Sequence, residues 1–303
     1  MVRIQDIPRH EVVCNLCLGN KTEHLFTVNS FNVVRCLNCK LVFVNPMPFP
    51  QDVANIYNSP EYYTKEGEQR EIYLGYPDYM MLEQHLTFVA DELLRPIKHI
   101  EKGKLLDIGC GMGIMLNRFR ELGWDTYGID ISSYATEHAC DKFGLKAFTG
   151  VVEDLDLPQS SFDLITMICT IEHLLNPRDT LKVINRLMKP GAVVIIATHD
   201  IDGIKPKIVK SKWRHLTIPE HLYFFSKNTL VRTLEETGFN IFEVTETATI
   251  ASATSDETVL RTSVKFLHRH RLIRRVSPII RSLHAINRTL NLADDITVYA
   301  RKI

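Results

Sequence analysis

From about residue 100 onward, apolar and polar positions switch repeatedly between two periods, and this pattern predicts a sheet covered by helices. Short apolar runs typical of buried strands occur near residues 104–108, 125–130, 145–149, 162–168 and 192–198. Between them, apolar residues repeat at helical spacing near residues 113–122, 133–143 and 179–188. Strands that alternate with helices in this way are typical of a parallel, doubly wound α/β sheet.

The end of the chain adds more elements. A helix over Ser226–Thr237 precedes a strand near 240–248, and the chain finishes with the alternating run DDITVYARKI. We expect this last strand to pair with the 240–248 strand and to close an edge of the sheet. A segment of about 257–292 between them has helical period and many arginines, and we interpret it as a solvated helical insertion. A basic amphipathic helix also suits a membrane surface, which is the second interpretation.

Four of the seven cysteines form a pattern near the N-terminus. Cys14 and Cys17 make one Cys-x-x-Cys pair, and Cys36 and Cys39 make a second pair after eighteen intervening residues. Two such pairs match a structural zinc site with four thiolate ligands, and two disulfides are the alternative. We therefore predict a zinc ribbon over residues 1–48, a linker and helical cover over 49–102, and a main domain over 103–303.

Composition excludes several classes of function. The 36 basic and 36 acidic side chains cancel, so no overall field favours nucleic acid as a partner. The N-terminal residues MVRIQDIPRHEVV lack an apolar run of signal-peptide length, and nowhere do about 18 apolar residues run together. We expect a cytoplasmic protein, and the sequence leaves its oligomeric state open.

The stretch KLLDIGCGMG, residues 104–113, carries the clearest chemical signal. An apolar strand runs directly into Gly109, Gly111 and Gly113, which permit a tight turn and a close approach of the backbone to a ligand. About twenty residues later a second strand ends in Asp130, where a carboxylate can accept hydrogen bonds from both hydroxyls of a ribose. The spacing predicts a nucleotide-binding site.

The order of motifs resembles the class I S-adenosylmethionine-dependent methyltransferases. The resemblance rests on DIGCGMG, GIDIS, FDLITMICTIEHLLNP and LMKPGAVVIIAT, followed by a helix that ends in TGF and by a final strand. It implies a seven-stranded Rossmann-like sheet whose last strand is antiparallel. The N-terminal stretch CLNCKLVFVNPMPFPQDVANIYNSPEYY is similar to that of a subgroup with a zinc-binding domain, which includes deoxysugar C-methyltransferases and polysaccharide methyltransferases.

The resemblance assigns roles in cofactor binding to particular residues. It implies that Asp107, Gly109, Cys110 and Gly111 face the methionine part of S-adenosylmethionine. Asp130 would hold the ribose, Ile131 would lie near the adenine, and Cys169 and Thr170 would line the other face of the cofactor. The acid expected after the third strand is missing, because Val151 stands at that position, and Glu153 just beyond it is the candidate for the adenine contact.

Methyl transfer is an in-line displacement, so the protein has to align donor and acceptor and to remove a proton where the acceptor carries one. Candidate bases follow strands or lie in loops at the edge where open sheets bind ligands. They are His173, His199, Glu220 and His221. We rank His221 first, because the Glu-His pair of IPEHLYFFS resembles the position of the base in the zinc-containing sugar C-methyltransferases.

We therefore predict an enzyme that methylates an oxygen or carbon atom of a small acceptor, such as a nucleotide-linked sugar or a polysaccharide precursor. Its expected cofactors are S-adenosylmethionine and Zn²⁺. Two other functions stay open, an RNA base methyltransferase and a non-catalytic regulator that binds S-adenosylmethionine.

Overall fold

The computed structural model describes residues 6–64, 75, 79–246 and 294–303. The predicted basic insertion at about 257–292 lies outside the described residues. Among the helices within the described ranges, none is long and apolar enough to cross a membrane.

The N-terminal part forms short antiparallel strands followed by a helical cover. The strands are β1 (Arg9–His10), β2 (Thr22–Val28), β3 (Phe31–Cys36), β4 (Val42–Val44) and β5 (Met47–Pro48). Strands β1 and β5 pair with each other as a separate ribbon, whereas β2, β3 and β4 belong to one sheet. Helix α1 (Pro50–Tyr57) begins at a proline, whose missing N–H costs nothing in a first turn. Helix α2 (Glu83–Leu94) follows a 3-10 turn at Tyr79–Leu82 and packs against the first helix of the main domain.

The main domain begins with β6 (Lys104–Ile108), as predicted from the apolar run. It continues through α3 (Ile114–Glu121), β7 (Asp125–Asp130), α4 (Ser133–Phe143), β8 (Lys146–Thr149), β9 (Phe162–Ile168), α5 (Pro177–Leu187) and β10 (Met188–His199). The last elements are α6 (Ile204–Val209), β11 (Tyr223–Phe224), α7 (Lys227–Glu235), β12 (Phe239–Glu246) and β13 (Asp295–Lys302).

Seven of these strands form one sheet in the order β12-β13-β10-β9-β6-β7-β8. Strands β6 to β10 are parallel, and β13 runs antiparallel to both of its neighbours. This arrangement confirms the predicted α/β class and the Rossmann-like sheet with an antiparallel last strand. Because β7, β6 and β9 are neighbours, the turns after their carboxyl ends meet at one edge, where open sheets bind ligands.

The expectation that the last strand closes the sheet is wrong. Strand β13 lies between β10 and β12, and its residues Asp295 to Ala300 are all buried. The alternation that suggested an edge came from Thr297 and Tyr299, and both of these side chains are buried as well. Strand β12, with partly exposed side chains, is the edge instead.

The N-terminal sheet is continuous with the main domain. Its strand order is β11-β4-β3-β2, so that Tyr223 and Phe224 from late in the chain pair with Phe43 and Val42. One hydrophobic cluster contains Leu16 and residues of α5 and α7. The loop that leads into β11 is therefore held between the two sheets, next to the carboxyl edge of the larger one.

Candidate active site

The glycine turn after β6 requires glycine at each of its three positions. Gly109, Gly111 and Gly113 have φ angles of 78°, 51° and 85°, a region that other residues rarely adopt. A Cβ atom on Gly109 would stand 2.2 Å from Oγ1 of Thr170, and one on Gly111 would stand 2.8 Å from the hydroxyl of Tyr79. The backbone of this turn is therefore packed closely by side chains that flank the predicted cofactor site.

Asp130 is fixed at the end of β7 by backbone donors on both of its oxygens. Oδ2 accepts a hydrogen bond from the N–H of Gly111 at 2.8 Å, and Oδ1 accepts one from the N–H of Ser132 at 2.9 Å. Each oxygen keeps a lone pair for a further donor. The carboxylate is thus held in place beside the glycine turn, which is the position that ribose recognition requires.

Asp107 is buried at the end of β6 and accepts a hydrogen bond from the hydroxyl of Thr166 at 2.6 Å. Burial raises the pKa of this carboxyl to about 7, because removal from water penalises the charged form. A cationic ligand beside it would favour the carboxylate again. The methionine part of S-adenosylmethionine carries such charges, an ammonium and a sulfonium.

The other predicted cofactor residues lie around this turn with one exception. Thr170 contacts Gly109, and Cys169 has a φ of 49°, which is rare for a residue with a side chain. Burial raises the pKa of the Cys110 and Cys169 thiols well above the ordinary value, so both remain protonated. Glu153 differs, because its side chain is exposed and accepts a hydrogen bond from Thr180 of α5.

Aromatic side chains cover the turn from the N-terminal side. Tyr63 stacks on Tyr134 at 5.7 Å between ring centroids and contacts Tyr79 edge to face at 5.8 Å. The backbone N–H of Ser133 donates to the side chain of Asn58, which ties the end of α1 to the start of α4. The residues before α2 therefore form one wall of the candidate cofactor site.

The three predicted histidines come together next to the turn. His173, His199 and His221 join three residues that were not among the predicted catalytic residues, which are Glu172, His215 and Asp295. Glu220 reaches this group through its backbone carbonyl, which lies 2.9 Å from Nδ1 of His173. The ring centroids of His173 and His221 lie 4.6 Å apart, and those of His199 and His221 lie 5.8 Å apart. The cluster is assembled from the ends of β9 and β10, the start of β13 and the loop before β11.

The surroundings of His199 and His221 shift the pKa values of these two histidines in opposite directions. Burial lowers the pKa of His199, but the hydrogen bond and charge of Asp295 outweigh this effect, so the net pKa is raised. Nδ1 of His199 lies 2.8 Å from Oδ1 of Asp295, whose side chain is 1% exposed. Burial, with the neighbouring histidines, lowers the pKa of His221 well below its ordinary value. His199 is consequently the stronger base of the two.

Sequence reasoning missed Asp295 because 96 positions separate it from its partner. The available signal was its place at the start of the last strand, which pairs with β10 so that Asp295 stands opposite His199. Burial raises the pKa of the remaining candidate, Glu220, to about 7.

The four N-terminal cysteines converge at one point. The Sγ atoms of Cys14, Cys17, Cys36 and Cys39 all lie within 4.8 Å of one another, with 3.3 Å between Cys14 and Cys39 and 3.5 Å between Cys17 and Cys36. Ligands in a tetrahedral zinc–thiolate site are about 3.8 Å apart, given a bond length of about 2.3 Å. The donor set and its spacing fit Zn²⁺, and all four cysteines are free thiols rather than disulfides.

Solved structures of other proteins share this fold. Phosphoethanolamine N-methyltransferase 2 of Haemonchus contortus, in complex with S-adenosylmethionine, superposes with a TM-score of 0.54 at 16% identity, over 84% of this chain and 61% of that one. A cyclase, SpnF, superposes with a TM-score of 0.51 at 18% identity, over 83% of this chain and 90% of that one. At these identities the likeness shows the fold, which is that of the S-adenosylmethionine-dependent methyltransferases.

Sequence comparison gives the family. The model of the methyltransferase domain matches residues 81–244, more than half of the chain, and the protein belongs to this methyltransferase family. An O-methyltransferase, cnsE, of Penicillium expansum is 26% identical over 69% of this chain and 80% of the relative. The ubiquinone biosynthesis O-methyltransferase of Methylococcus capsulatus is 33% identical, but over only 31% of this chain and 43% of the relative. The protein is an S-adenosylmethionine-dependent methyltransferase.

Proposed function

We propose that this methyltransferase acts on a hydroxyl group of a small, polyhydroxylated acceptor such as a nucleotide-linked sugar, with His199 as the general base. The observation that carries the proposal is the pairing of His199 with the buried carboxylate of Asp295 at 2.8 Å, beside the cofactor edge of the sheet. Several relatives are O-methyltransferases, which supports oxygen as the methylated atom. The N-terminal stretch resembles that of sugar methyltransferases, and this resemblance supports a sugar as the acceptor.

The dyad suits removal of a proton from a hydroxyl. Asp295 accepts the hydrogen bond of Nδ1–H, so the lone pair of the neutral ring lies on Nε2. S-adenosylmethionine would supply the methyl group to the acceptor oxygen and would keep the electron pair of the broken carbon–sulfur bond on its sulfur, while Nε2 of His199 would take the hydroxyl proton. Asp295 then stabilises the imidazolium, as a buried carboxylate does in other histidine dyads.

The cofactor would be held by the residues around the glycine turn. When bound, S-adenosylmethionine supplies the methyl group. Asp130 accepts hydrogen bonds from the ribose hydroxyls, and the carboxylate of Asp107 interacts with the cationic end of the cofactor. Gly109 and Gly111 permit close approach, and Cys110, Ile131, Cys169 and Thr170 supply the surrounding surface. Glu153, which is tied to Thr180, is the weakest of the proposed contacts.

Zn²⁺ in the four-cysteine cluster would have a structural role. Four thiolates leave no open coordination position, as is typical of structural zinc sites. The ion would fix the sheet of β2, β3 and β4, and through β4 the strand β11, which follows the loop of Glu220 and His221. We also propose the cytoplasm as the compartment, since thiolate sites of this kind persist where thiols stay reduced.

A screen with labelled S-adenosylmethionine tests the proposal. The panel contains nucleotide-linked sugars, catechols, and RNA, and the product is analysed for the methylated atom. We expect transfer to oxygen of a small polyhydroxylated acceptor, with a loss of at least about 100-fold in the His199→Gln variant. Transfer to RNA alone, or full activity of His199→Gln, would refute the proposal.

A further inference from the structure

The group next to the proposed base contains a buried carboxylate, that of Glu172, which is 2% exposed. Among the residues that the structure describes, neither of its carboxylate oxygens has a hydrogen-bond partner. Such a buried carboxylate is costly, so a positively charged ligand has to be considered. The backbone carbonyl of Glu172 accepts the N–H of Leu222 at 2.8 Å.

Two histidines face this carboxylate. A ring nitrogen of His173, a ring nitrogen of His221 and an oxygen of Glu172 all lie within 4.8 Å of one another. Glu172 and His173 lie in the 3-10 turn after β9, and His221 lies in the loop before β11. Two histidines and one carboxylate form the ligand set of catalytic zinc sites and of non-haem iron sites that keep positions open for a substrate.

The second nitrogen of each histidine is already engaged in the manner of a metal ligand. Nδ1 of His173 lies 2.9 Å from the carbonyl oxygen of Glu220, and Nδ1 of His221 lies 2.7 Å from that of His215. A carbonyl only accepts, so Nδ1 of His221 carries the proton and the lone pair of this ring lies on Nε2. Nδ1 of His173 also lies 2.7 Å from the hydroxyl of Tyr57, which can donate as well as accept. Metal-binding histidines almost always donate their other N–H to a carbonyl or carboxylate, which fixes the ring and its tautomer.

We propose that Glu172, His173 and His221 bind a divalent transition-metal ion, distinct from the zinc of the four-cysteine cluster. Nitrogen and oxygen donors favour a first-row ion such as Zn²⁺, Mn²⁺, Fe²⁺ or Co²⁺. Three protein ligands leave coordination positions for the acceptor.

The site adjoins the proposed base. Cys169, Glu172 and His199 form a second set of three residues whose donor atoms lie within 4.8 Å of one another. An acceptor hydroxyl bound to the ion would lie near His199, and the ion would lower the pKa of that hydroxyl. This role in the reaction rests on the proposed function, whereas the metal site itself does not.

Cobalt titration of the full-length protein tests the site. The protein is first loaded with one equivalent of Zn²⁺, which soft thiolate ligands bind preferentially, and is then titrated with Co²⁺. We expect a further equivalent of Co²⁺ with d–d absorption and without a sulfur-to-cobalt charge-transfer band. Affinity should fall by at least about 100-fold in Glu172→Gln and in His221→Gln. His99→Gln, which removes an exposed histidine far from the cluster, should bind cobalt as the wild type does.

S-adenosylmethionine binding serves as the test that each variant is folded, since the cofactor residues lie outside the metal set. Absence of a second equivalent in the wild type would overturn the proposal, and so would unchanged cobalt binding in both folded variants. If one variant does not fold, the comparison of cobalt binding between the other variant and the wild type tests the proposal. If cobalt binds and no acceptor is methylated, the metal site stands and the proposed function fails.

Discussion

At the residue scale, one hydrogen bond decides which histidine can act as a base. Asp295 holds His199 through Nδ1, whereas Nδ1 of His221 faces a backbone carbonyl that bears no full charge. Only the first arrangement stabilises an imidazolium. Sequence resemblance ranked His221 first, and the contacts of the two rings favour His199.

The variant Asp295→Asn should lose most of the activity while keeping the fold. The amide can still hydrogen-bond to the ring, but it does not stabilise the imidazolium and it permits the wrong tautomer, so we expect kcat to fall about 10²-fold to 10⁴-fold. The Kd for S-adenosylmethionine should stay within about threefold of the wild type, because Asp295 is not one of the proposed cofactor-binding residues. The matched control is Asp163→Asn, at the opposite edge of the sheet, where the carboxylate binds Lys189. A kcat for Asp295→Asn within threefold of the wild type would contradict the assignment.

Cofactor affinity should depend on pH through Asp107. Burial raises the pKa of this carboxyl to about 7, and its proposed contact with the cationic cofactor requires the ionised form. Binding is therefore full above pH 7 and should weaken about tenfold for each unit below it. Calorimetry with S-adenosylhomocysteine and S-adenosylmethionine between pH 5.5 and 7.5 measures this slope. In Asp107→Asn the affinity should be lower and flat over that range, and a flat profile in the wild type would contradict the role of this carboxyl.

Much of the cofactor site follows from local sequence, and little of the acceptor site does. The glycine turn and Asp130 are recognisable because strand, turn and acid are separated by fixed short distances. Glu172, His215 and Asp295 meet only through the order of the strands. No local spacing encodes that order, so the sequence did not predict the contacts of these residues.

At the element scale, two glycines at helix ends have the same backbone conformation but different surroundings. Gly113, at the start of α3, has a φ of 85°, and a Cβ atom there would stand 2.7 Å from Cβ of Ala139 and 2.8 Å from Cδ1 of Leu145. Gly144, at the end of α4, has a φ of 63° with nothing within 4 Å of such an atom. The two positions therefore share a left-handed backbone conformation, but only Gly144 has room for a side chain.

The pair Gly113→Ala and Gly144→Ala should therefore separate strain from crowding. Both variants pay about 1–2 kcal/mol for the left-handed conformation. Gly113→Ala adds about 1–3 kcal/mol for the forced contacts with α4 and its following loop. Urea unfolding of both variants gives the free energies of unfolding. Equal destabilisation of the two variants would contradict this prediction, because it would mean that the residues around Gly113 rearrange without loss of stability.

Element boundaries were easier to predict than element order. The strands at 104–108, 125–130 and 162–168 have the predicted bounds, because buried parallel strands are continuous apolar runs that stop at polar or glycine residues. The position of β13 was not predictable in the same way, since an alternating pattern arises wherever every second side chain is polar, even when both faces are covered.

At the scale of the whole molecule, the four-cysteine ribbon and the methyltransferase domain form one unit. Strand β11 pairs with β4, and the N–H of Val44 donates to the carbonyl of Leu222, next to His221. On the other side, the backbone N–H and guanidinium of Arg178 in α5 donate to Asn15 and Leu16 of the first cysteine loop. The sequence indicates a boundary near residue 48, but strand pairing and core both cross it.

Loss of the ribbon metal should therefore destabilise the whole chain rather than one end of it. In Cys39→Ser one of four ligands is weakened, and the free energy of zinc binding, about 10–16 kcal/mol in isolated zinc fingers, no longer fully supports the folded state. Because the ribbon and the main domain share the hydrophobic cluster around Leu16 and Phe225, we expect one unfolding transition at a lower temperature. Differential scanning calorimetry with metal analysis measures both quantities. Cys140→Ser, which changes a thiol of α4 outside the ribbon, should keep its zinc. A separate low-temperature transition with the main transition unmoved would show that the ribbon folds independently.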